Sequence, residues 1–140
     1  MATGTPNSTA RRMTGQLVGT ARFKVAFGDA ATAVALIKQT LGVGALILRA
    51  TVYKTAAWNS ATSAALNVGF VGGTGTELVN GADIKTATGQ VAGTLSGAAL
   101  APLAADTQLQ ASVAFVGAPT AGAVYVVIEF CNDNDLNVGQ

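Results

Sequence analysis

The sequence predicts an all-β protein, a single antiparallel β-sandwich of the jelly-roll type with a flexible N-terminal arm. Its 140 residues suit one domain with one core, half of them are apolar, and only 11% are charged. Short segments of alternating apolar and polar residues recur about every ten residues, separated by glycine-rich turns. Roughly seven to nine such strands fit a jelly roll, which is built from eight.

The chain divides into three parts by composition. Residues 1–15, "MATGTPNSTARRMTG", are small and polar, cannot form a core, and are expected to be a flexible arm. Residues 16–132 carry the strand-like segments and form the β-sandwich domain. Residues 133–140 are polar again and form a C-terminal tail.

The first strands are predicted from local alternation. In "ARFKVAF" the apolar side chains Phe23, Val25 and Phe27 should face the core. Residues 32–38, "TAVALIK", are predicted to be a second strand; the alternative is a helix from Asp29 to Leu41 with Asp29 as its N-cap.

A glycine turn at residues 41–44 leads into the third strand, "ALILRATVYK". Strict alternation divides its side chains between two faces. The predicted core set is Leu46, Leu48, Ala50 and Val52, and the outward set is Ile47, Arg49, Thr51 and Tyr53.

The second half continues this pattern after a loop at residues 56–63, which carries the only tryptophan, Trp58. Residues 72–97 are rich in glycine and threonine; we expect short strands near 77–79 and 90–95 around a turn or short helix at 80–85. The "GAPTAG" loop at residues 117–122 should join the last two strands as a hairpin. The predicted core residues are Leu66, Val68, Phe70, Leu109, Ala111, Val113, Phe115, Val124, Val126, Ile128 and Phe130.

Composition argues against most binding and catalytic functions. A net charge of +1 gives no strong field for nucleic acid or an acidic membrane, and no apolar run approaches the ~18 residues of a membrane helix. Residues 1–20 show no signal peptide, so we expect synthesis in the cytoplasm without an export signal.

Catalytic and metal chemistry lack their usual residues. Without histidine, Ser–His and Cys–His pairs are impossible, and the single cysteine, Cys131, is expected to pack structurally. The "NDNDLN" segment at residues 132–137 resembles the start of a calcium loop but lacks its glycine and distal glutamate. We therefore predict no enzyme activity, no cofactor and no metal.

The final strand is apolar on both faces, which raises the question of what covers its outer face. If Val124, Val126 and Ile128 face the core, Tyr125 and Val127 face outwards. One interpretation is ordinary scattered apolar surface, or an arm of the same chain folded over it. The other is a subunit interface, where aromatic residues are enriched. Its candidate residues are Ile47, Tyr53, Trp58, Tyr125 and Val127.

Three segments together resemble the small β-sandwich head decoration, or cement, proteins of tailed bacteriophages. They are the arm "MATGTPNSTARR", the stretch "ALNVGFVGGTGTELVNGADIKT" and the closing "LAPLAADTQLQASVAFVGAPTAGAVYVVIEF". The resemblance covers about residues 16–131 and lies in the order and style of the segments rather than in a catalytic signature.

The resemblance implies a virion structural protein on the outer surface of an icosahedral capsid. Such proteins form dimers or trimers and bridge major capsid subunits, so copies of this chain and a major capsid protein are the expected partners. Arg11 and Arg12 in the arm are candidates for pairing with capsid carboxylates. Two alternatives stay open: a tail or fibre component of a phage, and a carbohydrate-binding β-sandwich using Trp58, Tyr53 and Tyr125.

Overall fold

Two four-stranded sheets make up the protein. The structure is a computed structural model that describes residues 18–29, 35–86 and 88–132. Within these ranges it contains eight strands and one short 3₁₀ helix, Gly97–Leu100. The strands are β1 (Val18–Ala26), β2 (Leu36–Leu41), β3 (Leu46–Ala56), β4 (Ser63–Phe70), β5 (Val79–Asp83), β6 (Gly89–Ala92), β7 (Thr107–Val116) and β8 (Ala123–Cys131).

The strand order is that of a jelly roll. Sheet A has the order β1-β8-β3-β6, and sheet B has the order β2-β7-β4-β5. Every paired strand runs antiparallel to its neighbour. The chain crosses between the sheets at almost every connection, so each sheet is assembled from strands distant in sequence, as in two interlocked Greek keys. The predicted all-β sandwich is confirmed.

The core lies between the sheets, where alternate side chains of both inner faces meet. The predicted inward residues of β4, β7 and β8 are buried there, and Phe23 and Val25 of β1 join them. Phe115 and Phe130 are only partly buried and pack against the edge of this cluster. Phe27 was expected in the core but is 40% exposed, because β1 ends at Ala26 and its alternation ends there too.

A β-bulge reverses part of the prediction for β3. The pairing with β8 shifts between Ile47 and Arg49, which leaves Leu48 as an extra residue. Beyond such a bulge every side chain changes face. Ile47 is therefore buried in the core, whereas Leu46 and Leu48, predicted inside, are exposed. The assignments of Ala50, Val52 and Tyr53 are correct.

The middle of the chain is more regular than expected. Residues 79–83 form β5, so the turn or short helix predicted at 80–85 is wrong for residues 80–83, and of the strand predicted at 77–79 only Val79 lies in a strand. β6 forms at 89–92 and overlaps the strand predicted at 90–95. At the second predicted strand, residues 36–41 are β2, which excludes the helical alternative there, and residues 30–34 lie outside the described ranges.

The loop between β4 and β5 is folded around one buried carboxylate. Glu77 is 5% exposed and accepts hydrogen bonds from the N–H groups of Phe70 (3.0 Å) and Thr74 (2.6 Å). A side chain at Gly69 or Gly73 would collide with its carboxylate oxygens. Burial acts to raise the pKa of Glu77, but the backbone hydrogen bonds outweigh burial and the pKa is lowered.

Both predicted ends of the chain fall outside the described ranges. The arm at residues 1–15, with Arg11 and Arg12, and the tail at residues 133–140 belong to these parts. The boundaries at residues 15/16 and 132/133 therefore stay predictions.

Candidate interaction surface

Trp58 is a core residue and not a surface anchor. It is 1% exposed, and its backbone N–H donates to the carbonyl oxygen of Ile84 (3.1 Å). A Cβ at Gly122 would approach its Cγ to 2.6 Å, so the loop between β7 and β8 closes directly over the ring. The prediction that this loop is a hairpin is wrong, because β7 lies in sheet B and β8 in sheet A, so the loop crosses between the sheets. Asn59 fixes the same loop by accepting from the N–H groups of Thr120 (2.8 Å) and Ala121 (3.0 Å). The prediction that Trp58 lies at an interface, like that for Ile47, is wrong because both side chains point into the protein.

The outer face of sheet A brings the other candidates together. Residues directly opposite in neighbouring strands point to the same side of a sheet. Tyr125 of β8 lies opposite Lys24 of β1 and Tyr53 of β3, and Tyr53 lies opposite Gln90 of β6. These four residues form one row across all four strands.

The next rows complete this face. Val127 is flanked by Arg22 and Thr51, and beyond them Glu129 is flanked by Thr20 and Arg49. We call the set Arg22, Lys24, Arg49, Tyr53, Tyr125, Val127 and Glu129 the sheet A face. The register thus unites Tyr53, Tyr125 and Val127, three of the predicted interface residues, on one surface.

Aromatic and aliphatic side chains occupy the centre of the sheet A face. Tyr53 is 41% exposed, and Tyr125 and Val127 are half-buried. Together with Arg22 they line a shallow depression of about 250 Å³. A partly covered aromatic cluster of this kind can gain further burial when a partner docks, since each apolar side chain fully removed from water contributes about 1.5–3 kcal/mol.

Charged side chains surround this apolar centre. The guanidinium carbon of Arg22 lies 4.5 Å from the centroid of the Tyr125 ring, within cation–π range. Arg49 and Glu129, directly opposite each other, form an ion pair with a distance of 2.7 Å between Nη2 and Oε1. The sheet A face therefore carries three cations and one anion.

The outer face of sheet B has a different character. Asn67 and Ser112 lie opposite each other at its centre, and Ala65 lies opposite Ala114. Asn67 also accepts a hydrogen bond from the N–H of Gly81 (2.8 Å). Its apolar residues Ile37 and Val116 lie on separate strands at its margins. Only the sheet A face combines tyrosines with a concentration of cations.

Besides Glu77, three described carboxylates accept hydrogen bonds from backbone N–H groups of their own chain. Asp29 accepts from the N–H of Ala26 (3.1 Å), Asp83 from that of Lys85 (2.9 Å), and Asp106 from that of Val43 (2.9 Å). These backbone hydrogen bonds lower the pKa of Asp29 and of Asp83. A general base needs a pKa near neutrality, so Asp29 and Asp83 are poor candidates for acid–base catalysis.

Two searches of the described part of the chain also bear on function. No group of three or more metal-ligating side chains comes together in residues 18–29, 35–86 and 88–132. In the same ranges no helix is both long and apolar enough to span a bilayer.

Sequence reasoning did not identify the cations of the sheet A face as candidate interface residues. Arg22 and Lys24 are recognisable as the outward side of β1, but the local pattern does not reveal that β1 lies beside β8. Only the register places the guanidinium of Arg22 on the ring of Tyr125, about a hundred residues away in sequence.

The fold is similar to chains in three bacteriophage capsid structures. A chain in the capsid asymmetric unit of cyanophage Pam1 matches with a TM-score of 0.65 and 21% identity, over 92% of this chain and 100% of that chain. A chain in the capsid of Ralstonia phage GP4 matches with a TM-score of 0.61 and 17% identity, over 84% of this chain and 85% of that one.

The third is a chain in the acidic stable capsid of Helicobacter pylori bacteriophage KHP30. Its TM-score is 0.59 at 13% identity, over 84% of this chain and 90% of the other. No protein-family model and no curated protein matches the sequence. At these identities the likeness concerns the fold.

Proposed function

We propose that this protein is a virion structural component that decorates and stabilises the outer surface of a bacteriophage capsid by bridging major capsid subunits. The observation that carries the proposal is the match to the Pam1 capsid chain, which this fold covers from end to end. The fold described above therefore accounts for the whole length of that chain, which belongs to a capsid asymmetric unit. A small protein of this shape suits a role on a shell that larger subunits build.

The surface chemistry supports an assembly role. Tyr53, Tyr125 and Val127 form an apolar centre that a shell subunit would cover, and tyrosine is enriched in protein interfaces. The lowered pKa values of Asp29, Glu77 and Asp83 give no support to an enzymatic alternative.

The proposed mechanism is avidity. Each copy binds weakly through its sandwich surface and through the arm at residues 1–15, and association of copies into dimers or trimers makes later contacts intramolecular. Arg11 and Arg12 are proposed to pair with carboxylates on the shell.

Co-sedimentation tests the proposal. The purified protein is mixed with empty shells assembled from the major capsid protein encoded in the same phage genome, and bound copies are counted per particle. Saturable binding of hundreds of copies is expected. A few to a few dozen copies, bound at a tail or at one vertex, would instead indicate a tail component, and no binding to shells overturns the proposal.

The role of the arm is tested by deleting residues 1–14. We expect shell binding to be lost while the thermal unfolding midpoint stays that of the full chain, because the deleted residues precede β1. A full-length variant with Arg11→Gln and Arg12→Gln serves as the matched control and separates the effect of charge from that of length. Full occupancy of shells by the truncated protein would remove the arm from the mechanism.

The carbohydrate-binding alternative loses its main candidate. Burial of Trp58 leaves Tyr53 and Tyr125 as the aromatic side chains on the sheet A face. They adjoin each other in one row and surround a shallow depression rather than a groove.

A further inference from the structure

We propose that the sheet A face docks onto a carboxylate-bearing surface of the capsid shell, and not onto a second copy of this chain. This inference rests on the proposed function for the identity of the partner. The chemistry of the partner follows from the charges on this face and from the positions of the acidic side chains elsewhere in the structure.

Basic residues are concentrated on this face. Six of the eight lysines and arginines lie in the described ranges, and three of these six, Arg22, Lys24 and Arg49, point outwards from sheet A. Glu129 is the single carboxylate among them and is paired with Arg49. Within the described ranges, Arg22 and Lys24 form no ion pair.

The contact with Tyr125 preorganises the side chain of Arg22 for binding a carboxylate. Stacking against the ring restrains the guanidinium, so less side-chain entropy is lost when a partner binds. The N–H groups at the edge of a stacked guanidinium remain available for two parallel hydrogen bonds to one carboxylate. Lys24, opposite Tyr125 in the register, adds a second cation two residues from Arg22 on the same face of β1.

The same charges disfavour self-association through this face. Two copies placed face to face would bring six cations against two carboxylates, and juxtaposed like charges at an interface cost several kcal/mol. The other described carboxylates, Asp29, Glu77, Asp83 and Asp106, hold backbone N–H groups of their own chain. Within the described ranges, a second copy therefore presents no acidic patch that could pair with the cations of this face.

Charge reversal on shells tests the inference. Arg22→Glu and Lys24→Glu are each expected to raise the dissociation constant for the empty shells about tenfold or more. A tenfold change corresponds to about 1.4 kcal/mol of binding free energy. Lys85→Glu changes the net charge equally and is the matched control, because Lys85 lies on the loop after β5 and lines a depression with residues of β4 and β5 in sheet B. Raising the salt concentration should weaken wild-type binding more than that of the two face variants.

The outcomes separate this inference from the proposed function. If the wild type binds shells and the two face variants bind as well as Lys85→Glu, the inference is wrong and the function stands. If the wild type does not bind shells, titration with poly-L-glutamate decides: amide NMR shifts confined to β1, β3 and β8, and absent in Arg22→Glu, support the carboxylate-binding face without the function. An absence of such shifts then overturns both.

Self-association supplies the remaining check. The mass of the wild type in solution is compared with that of Arg22→Glu and Lys24→Glu over a range of concentrations. An oligomer that is unchanged by charge reversal supports a self-contact elsewhere. An oligomer that dissociates on reversal, or on Asp133→Asn and Asp135→Asn in the C-terminal tail, shows that a second copy occupies the face and overturns the inference.

Discussion

Replacing the buried carboxylate of Glu77 by an amide should destabilise the protein strongly at neutral pH. In Glu77→Gln one oxygen still accepts a hydrogen bond, but the new NH₂ group faces a backbone N–H, either that of Phe70 or that of Thr74. A hydrogen bond to a charged group contributes about 1.5–3 kcal/mol, and a neutral one contributes about 1 kcal/mol. Losing one and weakening the other gives an expected loss of about 2–4 kcal/mol in the free energy of unfolding.

The effect should depend on pH in a defined direction. The pKa of Glu77 is lower in the folded protein than its usual 4.5, so the folded state binds this proton less readily than the unfolded chain does. The stabilisation from the carboxylate is complete above that usual value and is lost as the pH falls through the lower, folded pKa. The difference between the wild type and Glu77→Gln should therefore narrow below about pH 4.5.

Urea unfolding at pH 7 and at pH 3 measures both effects. Asp83→Asn is the matched control, because Asp83 also accepts from two backbone N–H groups, those of Lys85 and Thr86, but is exposed. At an exposed site the amide oxygen of asparagine and water can replace the hydrogen bonds of the carboxylate. Its stability should stay close to that of the wild type. A Glu77→Gln loss below about 0.5 kcal/mol at pH 7, or one that is as large at pH 3, would refute this account of the loop.

Two further predictions concern the core. Trp58→Ala should lower the free energy of unfolding by about 3–5 kcal/mol in urea unfolding, because a fully buried aromatic ring is removed; a variant as stable as the wild type would contradict the burial of Trp58 under the β7–β8 loop. Ile47→Ala should cost about 2–5 kcal/mol, whereas Leu48→Ala should cost much less, because the bulge in β3 turns Leu48 towards solvent; the reverse order would mean that strict alternation continues through this strand.

The prediction of the core succeeded where strands are regular and failed where they are not. On β4 and β8 every second side chain lies in the core, with no extra residue around Leu66 or Val126. Alternation along the sequence was therefore sufficient to predict which residues of these strands are buried. On β3 the extra residue at Leu48 reversed the faces, and nothing in "ALILRA" marks a bulge, since its residues are almost all apolar.

The loop residues show a different kind of failure. Trp58 follows a strand in a polar loop, which suggested exposure, but the loop at residues 117–122, which crosses between the sheets, folds over it. Residues 80–83 form a strand because β5 pairs with β4, although "NGAD" is typical of a turn. In both cases contacts between distant segments outweighed the local preference.

The sequence by itself determined the fold class, the lack of histidine and the apolar character of both faces of the last strand. These properties are local or compositional, because alternation and residue type can be read along the chain without knowing its neighbours. Only the tertiary structure decided that β8 lies between β1 and β3, which places Arg22 and Lys24 beside Tyr125 and Tyr53. The reason is that strand pairing in a jelly roll joins segments distant in sequence, so the composition of any surface depends on pairings that no single segment encodes.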